Sequence, residues 1–266
     1  MSERKSLDTI CATLAYALGV DAPEHAAEKN EALAEYIDKE LDGKKVDRVF
    51  MYNPDAVAEW IYKKYPQLVT EVVAKTDLQL PLETVMPSVT PVCFATMYTG
   101  AQPAVHGVQK YEKVTIPTDS LFDAVARSGK RVALLVRTNC SMSKLYLNRN
   151  IDYYIYDTIP EINAKAAEVI IKDEYDLVVV YNGNYDTLMH KHGPESLEAL
   201  SELRANSHYF ATFYSLIEEH WAGHDTLLGF AMDHGCHEID GGAGSHGLDM
   251  DEDLQITHFY KIKKSV

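Results

Sequence analysis

Clusters of Asp, His and Gly occupy the last third of the chain, and their spacing suits metal binding. Asp186 and His190 are four residues apart, so one helical turn would present both side chains to a single ion. Asp233 and His234 are adjacent after an apolar run, and His246 lies in a glycine-rich stretch whose backbone permits close approach. The alternatives are a polar loop with a helix cap at Asp186 and a solvent-exposed His246. Three such groups in one chain favour the metal site.

A hydroxyl residue, Thr90, stands directly before Pro91 at the start of an apolar stretch. Proline is favoured in the first turn of a helix, and the residue before it is the natural cap. We therefore expect a helix to begin here. Its dipole would favour an alkoxide at Thr90 and an anionic substrate beside it. The sequence leaves two interpretations of Thr90 open, a nucleophile or a simple N-cap.

The hydrophobic pattern predicts the strands and helices that must bring these residues together. Apolar runs rich in β-branched residues predict strands over residues 47–52, 131–137, 176–182, 226–233 and 255–262. Helical patterns cover residues 8–18, 26–41, 56–65, 94–99, 120–128, 162–171 and 196–220. This alternation is typical of a doubly wound α/β domain with a mostly parallel central sheet, which binds ligands beyond the carboxyl ends of its strands.

Length and composition are those of a globular chain. The 266 residues are 46% hydrophobic and 24% charged, which excludes the disordered and fibrous classes. We expect a single domain over residues 1–266, with residues 1–44 forming a helical segment packed on its core. The predicted elements leave no room for a large cap domain.

The charge and the cysteines limit the partners and the compartment. The net charge is −15, from 25 Lys and Arg against 40 Asp and Glu, so we expect no nucleic-acid-binding surface. No apolar run reaches the ~18–20 residues of a membrane helix, and the start of the sequence lacks the apolar core of a secretory signal. The four cysteines are scattered without a Cys-x-x-Cys pair, which indicates reduced thiols. We therefore expect a cytoplasmic protein without a membrane partner; the oligomeric state is unknown.

Four segments, taken in order, resemble the motifs of the alkaline phosphatase superfamily. The resemblance is nearest to its type I phosphodiesterase/nucleotide pyrophosphatase and phosphonoacetate hydrolase branch, and it spans roughly residues 46–262. The matching residues are Thr90, Thr99-Gly100, Pro103 and His106-Gly107, then Asp186, His190, Gly193 and Pro194, then Asp233-His234-Gly235, and last His246-Gly247.

The resemblance implies two divalent metal ions, with zinc preferred to manganese, and a small anionic phosphoryl substrate. Its first ion would be held by Asp186, His190 and His246. Its second ion would be held by Asp233, His234, Thr90 and an Asp that ends the first strand. Thr90 would accept the phosphoryl group covalently, with inversion, and water would release it with a second inversion.

Two positions depart from the family's pattern. The first strand is followed by Asn53, Pro54 and Asp55 rather than directly by Asp. Either Asn53 takes the ligand position or Asp55 reaches in, and we favour Asp55 because an anionic oxygen suits a dication better. The alternative is that one of them only caps the next helix.

The second departure concerns substrate binding. Phosphodiesterase relatives place an Asn five residues after the His of His106-Gly107, where this chain has Tyr111. Tyr111 or the neighbouring Lys110 and Lys113 could donate to the phosphoryl oxygens instead, and we name Tyr111 and Lys110 as substrate-binding residues. A solvated loop is the alternative interpretation. The preference between monoesters and diesters stays open.

The function that these residues indicate is a metal-dependent hydrolase of phosphoric esters that forms a covalent phospho-threonine. Two alternatives remain, a non-catalytic member of the fold that binds a phospho-ligand or metal, and a phosphonate hydrolase. The helix predicted over residues 8–18 also resembles one that relatives carry after the last metal-binding His. It is either a permuted element or an ordinary amphipathic helix.

Overall fold

A mixed eight-stranded sheet runs through the protein, which we describe over residues 4–266 from a computed structural model. The strands are β1 (Lys5–Ser6), β2 (Arg48–Pro54), β3 (Leu78–Glu83), β4 (Val132–Arg137), β5 (Asp152–Tyr156), β6 (Leu177–Asn182), β7 (Thr226–Phe230) and β10 (Gln255–Lys263). A separate two-stranded hairpin is formed by β8 (His237–Ile239) and β9 (Ala243–Ser245).

Helices flank this sheet. They are α1 (Thr9–Leu18), α2 (Glu31–Leu41), α3 (Glu59–Lys64), α4 (Thr70–Lys75), α5 (Thr90–Thr99), α6 (Pro103–His106), α7 (Leu121–Arg127), α8 (Ser141–Leu145), α9 (Ile159–Lys172), α10 (Asn184–His192), α11 (Leu197–His220) and α12 (Asp251–Leu254). A short 3-10 helix spans Pro66–Leu68. Across residues 4–266, none of the helices combines the length and the apolar character needed to span a membrane.

The order of the strands is β1-β3-β10-β7-β2-β6-β4-β5. The five strands β7, β2, β6, β4 and β5 are parallel, whereas β10 runs antiparallel to both β3 and β7. Every residue of β6 is buried, as its continuous apolar sequence requires when helices cover both faces of a parallel sheet. The predicted fold class, a mostly parallel α/β sheet flanked by helices, is confirmed.

The five predicted strands are present, and three sheet strands were missed. The missed strands β1, β3 and β5 lie toward the two edges of the sheet. β3 alternates buried and exposed residues and contains a proline, and β5 is mostly half-exposed. Both patterns are typical of peripheral strands, which carry less of the apolar signal than central ones.

Three element boundaries differ from the prediction in ways that matter for the chemistry. The strand predicted to run to residue 233 ends at Phe230, so the following Asp233 and His234 lie in irregular backbone. The helical pattern over residues 94–99 is only the last part of α5, which begins at Thr90, where the Thr90-Pro91 pair predicted a helix start. The polar segment after β6 forms a full helix, α10, instead of a single turn.

Three neighbouring strands bring the acidic residues to one edge of the sheet. β2 lies between β7 and β6, and all three run parallel. Asp55 follows β2, Asp186 follows β6 on α10, and Asp233 follows β7. Carboxyl ends of adjacent parallel strands meet at the same edge, which is where open α/β sheets bind ligands.

The N-terminal segment contributes a strand to the sheet and then a helix that packs against other helices. β1 pairs in parallel with β3, which in turn pairs with β10. α1 packs against α2, α5 and α7, and it ends at Gly19, whose φ of 67° suits a left-handed helix cap. β1 is therefore the edge strand of the sheet, and β3 separates it from β10. Whether α1 is a permuted element stays a prediction.

Candidate active site

Asp186, His190 and His246 form the first of two groups, which we call cluster 1. Asp186 and His190 lie on α10 and His246 follows β9. The Asp186 Oδ1 atom is 3.2 Å from Nε2 of His190 and 3.3 Å from Nε2 of His246, and the two nitrogens are 3.0 Å apart. Three donor atoms thus converge on one point, as the four-residue spacing predicts for Asp186 and His190.

Backbone carbonyls orient both imidazole rings of cluster 1. Nδ1 of His190 lies 3.0 Å from the Gly244 carbonyl oxygen, and Nδ1 of His246 lies 3.0 Å from that of Ser88. Each Nδ1–H therefore donates to a carbonyl, which leaves the two Nε2 atoms as acceptors that face each other. A cation between them would satisfy both, and metal-binding histidines are oriented in this way.

The pKa values of His190 and Asp186 show that cluster 1 stabilises a positive charge beside the carboxylate. The hydrogen bond with Asp186 raises the pKa of His190 to about 9. Burial alone would raise the pKa of Asp186, but hydrogen bonds with His190 and His246 hold it below its usual range. In the metal-free protein a proton on His190 can thus balance the carboxylate where a cation would otherwise do so.

Asp55, Asp233 and His234 form the second group, cluster 2, and all three are buried. His234 Nε2 is 3.4 Å from Oδ1 of Asp55 and 3.3 Å from Oδ2 of Asp233. The His234 Nδ1 atom is 2.8 Å from the Gly235 carbonyl oxygen, so its Nε2 is again the free acceptor. Tyr181 donates a hydrogen bond to Asp55.

Burial dominates the titration of cluster 2. It raises the pKa of Asp233 to about 8 and lowers the pKa of His234 to about 3. Burial, together with the charges of Asp233 and Asp186, also raises the pKa of Asp55 well above its usual range. Two carboxylates in a dry site repel each other unless a cation lies between them.

Unpartnered oxygens in both clusters fit divalent metals. Among residues 4–266, Oδ1 of Asp186 and Oδ2 of Asp233 are buried and, apart from the histidine Nε2 atoms 3.2–3.3 Å away, have no hydrogen-bond partner. Such atoms are rare in native proteins and call for an explanation. The donor sets, one carboxylate with two imidazoles and two carboxylates with one imidazole, suit a dication that accepts nitrogen and oxygen ligands.

Thr90 lies beside cluster 2 and is buried. Its Oγ1 atom is 3.4 Å from both carboxylate oxygens of Asp55 and 3.4 Å from Nε2 of His234. Thr90 is the first residue of α5 and Val89 occupies the cap position, so the expectation that Thr90 is the cap residue is wrong. The hydroxyl is directed to the side chains of cluster 2 because the turn before α5 places it there.

The structure separates Asn53 from Asp55. The Asn53 amide donates to the Ala231 carbonyl at 2.6 Å, and its oxygen accepts from the Tyr98 hydroxyl at 2.5 Å. Its polar atoms therefore bond the strands and α5 to each other. Asp55 reaches cluster 2 because the chain turns sharply after β2, with Ala56 at a φ of 61°.

A cavity of about 290 Å³ opens beside Thr90. It is lined by Asp55, Thr90, Tyr111, Lys113, Arg137, Thr138, Asn139, Cys140, Ser141, Tyr181, Gly183, Asp186 and Thr187. Of the two residues predicted to bind substrate, Tyr111 is in this wall. Lys110 is not, because its ammonium is exposed and lies 3.8 Å from the Glu112 carboxylate. Lys113 lines the cavity instead.

The sequence prediction missed the wall residues that follow β4. Arg137 ends that strand, residues 138–140 form the turn into α8, and Ser141 is the first residue of that helix. One feature of the sequence could have indicated them: they follow a predicted parallel strand, whose carboxyl end lies with those of the other site strands. This indication was weak because the loop has no characteristic spacing of acidic or histidine side chains.

Comparison with known proteins finds a matching sequence family and solved structures with a similar fold. The sequence profile of the family described as type I phosphodiesterase/nucleotide pyrophosphatase matches residues 52–264. Ectonucleotide pyrophosphatase/phosphodiesterase 5 is a structural neighbour: the mouse protein has a TM-score of 0.60 at 16% identity, and the human protein 0.59 at 15%. A search of curated proteins finds no significant match.

The alignments cover 73% of this chain and 58% of either neighbour, so at these identities they show a shared fold. A further structure is an inactive variant of the mouse protein in complex with AMP, with a TM-score of 0.57 at 16% identity. It aligns over 73% of this chain and 59% of its own length.

Proposed function

Because the chain belongs to the type I phosphodiesterase/nucleotide pyrophosphatase family, we propose that it hydrolyses phosphoric esters with Thr90 as the nucleophile at a two-metal site. The substrate is a small phosphodiester, nucleotide pyrophosphate or phosphomonoester. The net charge of −15 favours such a small ligand over a nucleic acid.

One observation carries this proposal: the buried Thr90 hydroxyl lies 3.4 Å from both Asp55 and His234 and borders an open cavity. A threonine with only a capping role would donate to or accept from backbone atoms of its own helix. Here the hydroxyl meets acceptors that orient it and favour the departure of its proton. The surroundings of the Thr90 hydroxyl are therefore those expected of an activated nucleophile.

The reaction proceeds as two displacements at phosphorus. Thr90 Oγ1 loses its proton and forms a bond to phosphorus while the bond to the leaving-group oxygen breaks and that oxygen takes up a proton. This gives a phospho-threonine, which keeps the second ester group when the substrate is a diester, and inverts the configuration at phosphorus. Water then attacks the phospho-threonine from the opposite side and restores the Thr90 hydroxyl. Two inversions give net retention of configuration.

The residues that would hold the metals are those of the two clusters. Asp186, His190 and His246 would hold one ion, and Asp55, Asp233 and His234, with Thr90, the other. Two bound divalent ions supply positive charge that lowers the pKa of a hydroxyl nucleophile and stabilises charge on the attacking and leaving oxygens. We favour zinc over manganese because the sites combine imidazole nitrogens with carboxylate oxygens.

Two features of the sequence favour the non-catalytic alternative: the doubtful ligand after the first strand, and Tyr111 in place of the Asn that relatives carry after the His-Gly pair. The structure bears on the first of them. Asp55 now lies with Asp233 and His234, all within the 4.8 Å that separates potential ligands of one ion. This supports a complete second site. We also keep the prediction of a cytoplasmic location, which the four free cysteines support.

The experiment is to measure hydrolysis of bis(4-nitrophenyl) phosphate and 4-nitrophenyl phosphate by the zinc-loaded protein. We expect Thr90→Ala to lower the rate by roughly 10³-fold or more, while zinc content and the unfolding midpoint stay near wild type. Thr90→Ser is the matched control, because it keeps the hydroxyl. Wild-type turnover in Thr90→Ala would overturn the covalent mechanism.

Acid-quenched samples provide a second readout. In wild type, mass spectrometry should find a covalent adduct on the peptide that contains Thr90: phosphate from the monoester and 4-nitrophenyl phosphate from the diester. It should find neither on any peptide of Thr90→Ala. Turnover without a phosphorylated peptide, combined with inversion at a chiral phosphorus, would mean direct attack by water.

A further inference from the structure

The two edges of the eight-stranded sheet are built differently. β1, at one edge, has only two residues and includes the exposed Lys5. β5, at the other edge, has five residues, mostly tyrosine, with no lysine, proline or glycine among them. Short length, lysine and proline are devices that keep an edge strand from pairing with another chain. β1 therefore has such protection, and β5 lacks it.

The outer edge of β5 offers free backbone groups. In the described part of the chain, β5 pairs with β4 alone. The Tyr156 carbonyl accepts from the Thr138 backbone N–H at 2.8 Å, so the backbone groups of Tyr156 are directed at β4. Because those of successive strand residues point to opposite sides, the N–H and C=O groups of Tyr153 and Ile155 point away from β4. The Ile155 side chain beside them is 39% exposed.

The sequence of β5 is complementary to a second copy of itself. In an antiparallel pair centred on Tyr154, Tyr153 would lie opposite Ile155 of the second copy, and Ile155 opposite its Tyr153. Residues opposite each other in this way exchange both of their N–H···O bonds. An aromatic residue opposite a β-branched one is also a favourable cross-strand pair. Such a contact uses the same surface on both copies, so it closes as a two-fold dimer.

The charges along β5 permit this pairing, although the whole chain is acidic. Asp152 pairs with Arg131 at 2.9 Å, and it would lie opposite the uncharged Tyr156 of the second copy. β5 contains no other charged residue, so no like charges face each other along the paired strands. What opposes association is the net charge of −15 on each copy, and dissolved salt screens that repulsion.

We propose that the protein forms a two-fold dimer in solution by antiparallel pairing of β5 with β5 of a second copy, which joins the two sheets into one. The two-fold axis passes beside Tyr154. This inference goes beyond the proposed function and does not depend on bound zinc or on turnover.

The test is sedimentation velocity of the purified full chain, from low to high micromolar concentrations, with EDTA and with zinc. We expect the mass to rise with concentration toward twice that of one chain in both buffers. Raising the NaCl concentration should lower the dissociation constant, because it screens the repulsion between two acidic chains.

Two substitutions of Ile155 test the backbone contact. Ile155→Pro removes an N–H that points away from β4, so the monomer loses no hydrogen bond, and edge strands tolerate proline. The dimer would lose this N–H from both copies, and its dissociation constant should rise at least about tenfold. Ile155→Val is the matched control, because it keeps the N–H and the β-branched side chain, and it should dimerise like wild type.

A cysteine at the two-fold axis tests the register. In Tyr154→Cys the two cysteines would lie directly opposite each other, close enough for a disulfide, so mild oxidation should link the copies covalently. Ile155→Cys is the matched control, since its counterpart would be displaced by two residues along the strand, beyond the ~7 Å reach of a disulfide. The wild type, with its four free cysteines, gives the background.

Three outcomes would overturn the inference. The first is a wild-type chain that stays monomeric at every concentration, which would leave the edge to an extended segment of a different protein. The second is a dimer that Ile155→Pro leaves intact, and the third is linkage of Ile155→Cys as readily as of Tyr154→Cys, because another surface would then hold the copies together. If Ile155→Pro fails to fold, the two cysteine variants decide. None of these outcomes bears on zinc or on hydrolysis, so the proposed function is tested separately.

Discussion

Asp233 offers a test of the metal sites that does not depend on turnover, because its replacement by asparagine should have opposite effects with and without metal. Its Oδ1 accepts from the Ala56 backbone N–H at 3.3 Å, and its buried Oδ2 faces His234 Nε2 at 3.3 Å. In Asp233→Asn the amide oxygen can keep the first bond. The amide NH₂ can donate to Nε2, which the Gly235 carbonyl leaves as an acceptor.

The expected change in unfolding free energy without metal follows from the charges of cluster 2. The Asp55 and Asp233 carboxylates lie within 4.8 Å of each other. Two unit charges at that distance repel by about 3.5 kcal/mol at an effective dielectric constant of 20. A new hydrogen bond to His234 adds about 1 kcal/mol. Because protonation relieves part of the repulsion, we expect metal-free Asp233→Asn to be more stable than metal-free wild type by about 2–4 kcal/mol.

The assay is urea unfolding in mildly alkaline buffer, with EDTA and with excess zinc. Zinc should raise the unfolding free energy of wild type markedly and that of Asp233→Asn much less, because a charged ligand is lost. The control is Asp176→Asn, which removes an ion pair with Arg48 at 2.9 Å and should destabilise the protein equally in both buffers. A loss of stability in metal-free Asp233→Asn would refute the reasoning and mean that the carboxylate has a structural role.

Three further substitutions test the surroundings of the site. Ala56→Gly should raise the unfolding free energy by about 1 kcal/mol, because Ala56 adopts a φ of 61° that glycine tolerates better. A lower midpoint temperature of thermal unfolding in the variant would contradict this. Gly244→Ala should lower zinc content and stability, since a Cβ there would overlap Sδ of Met189 and lie 2.8 Å from the Met189 carbonyl oxygen; unchanged zinc content by elemental analysis would speak against it. Burial would raise the pKa of Glu59, but hydrogen bonds from Arg4 and neighbouring donors lower it to about 2, so its contribution is present above pH ~4.5 and lost as the pH falls toward 2. Glu59→Gln should therefore cost about 1–2 kcal/mol near neutral pH and nothing near pH 2, and a cost independent of pH in urea unfolding would refute the assignment.

The sequence predicted the central sheet well because its strands are buried on both faces. The runs that became β2, β4, β6 and β7 are continuously apolar, and helices cover them. β5 escaped prediction because it is half-exposed and rich in tyrosine, and β3 because it contains Pro81. The position of such strands depends on which neighbour they pair with, and this information is not local.

The site shows the same division between local and non-local information. The spacing of Asp186 and His190 placed both on one helical turn, and short motifs indicated Asp233, His234 and His246. Loops were harder to predict.

Whether Lys110 or Lys113 faces the cavity depends on how the loop after α6 turns, and no periodicity constrains it. Arg137 was missed because its place in the cavity wall depends on which strands lie next to β4. Charge alone favoured Asp55 over Asn53, but the turn that lets Asp55 reach cluster 2 has a positive φ at Ala56, which nothing in the local sequence indicates.

Bound zinc per chain tests the central claim most directly. Elemental analysis of dialysed protein, purified with zinc present, should find about two ions in wild type, about one in Asp233→Asn and about one in His190→Ala. Their double variant should bind none. One ion or fewer in wild type, or a single substitution that empties both sites while the protein stays folded, would contradict separate metal sites at cluster 1 and cluster 2.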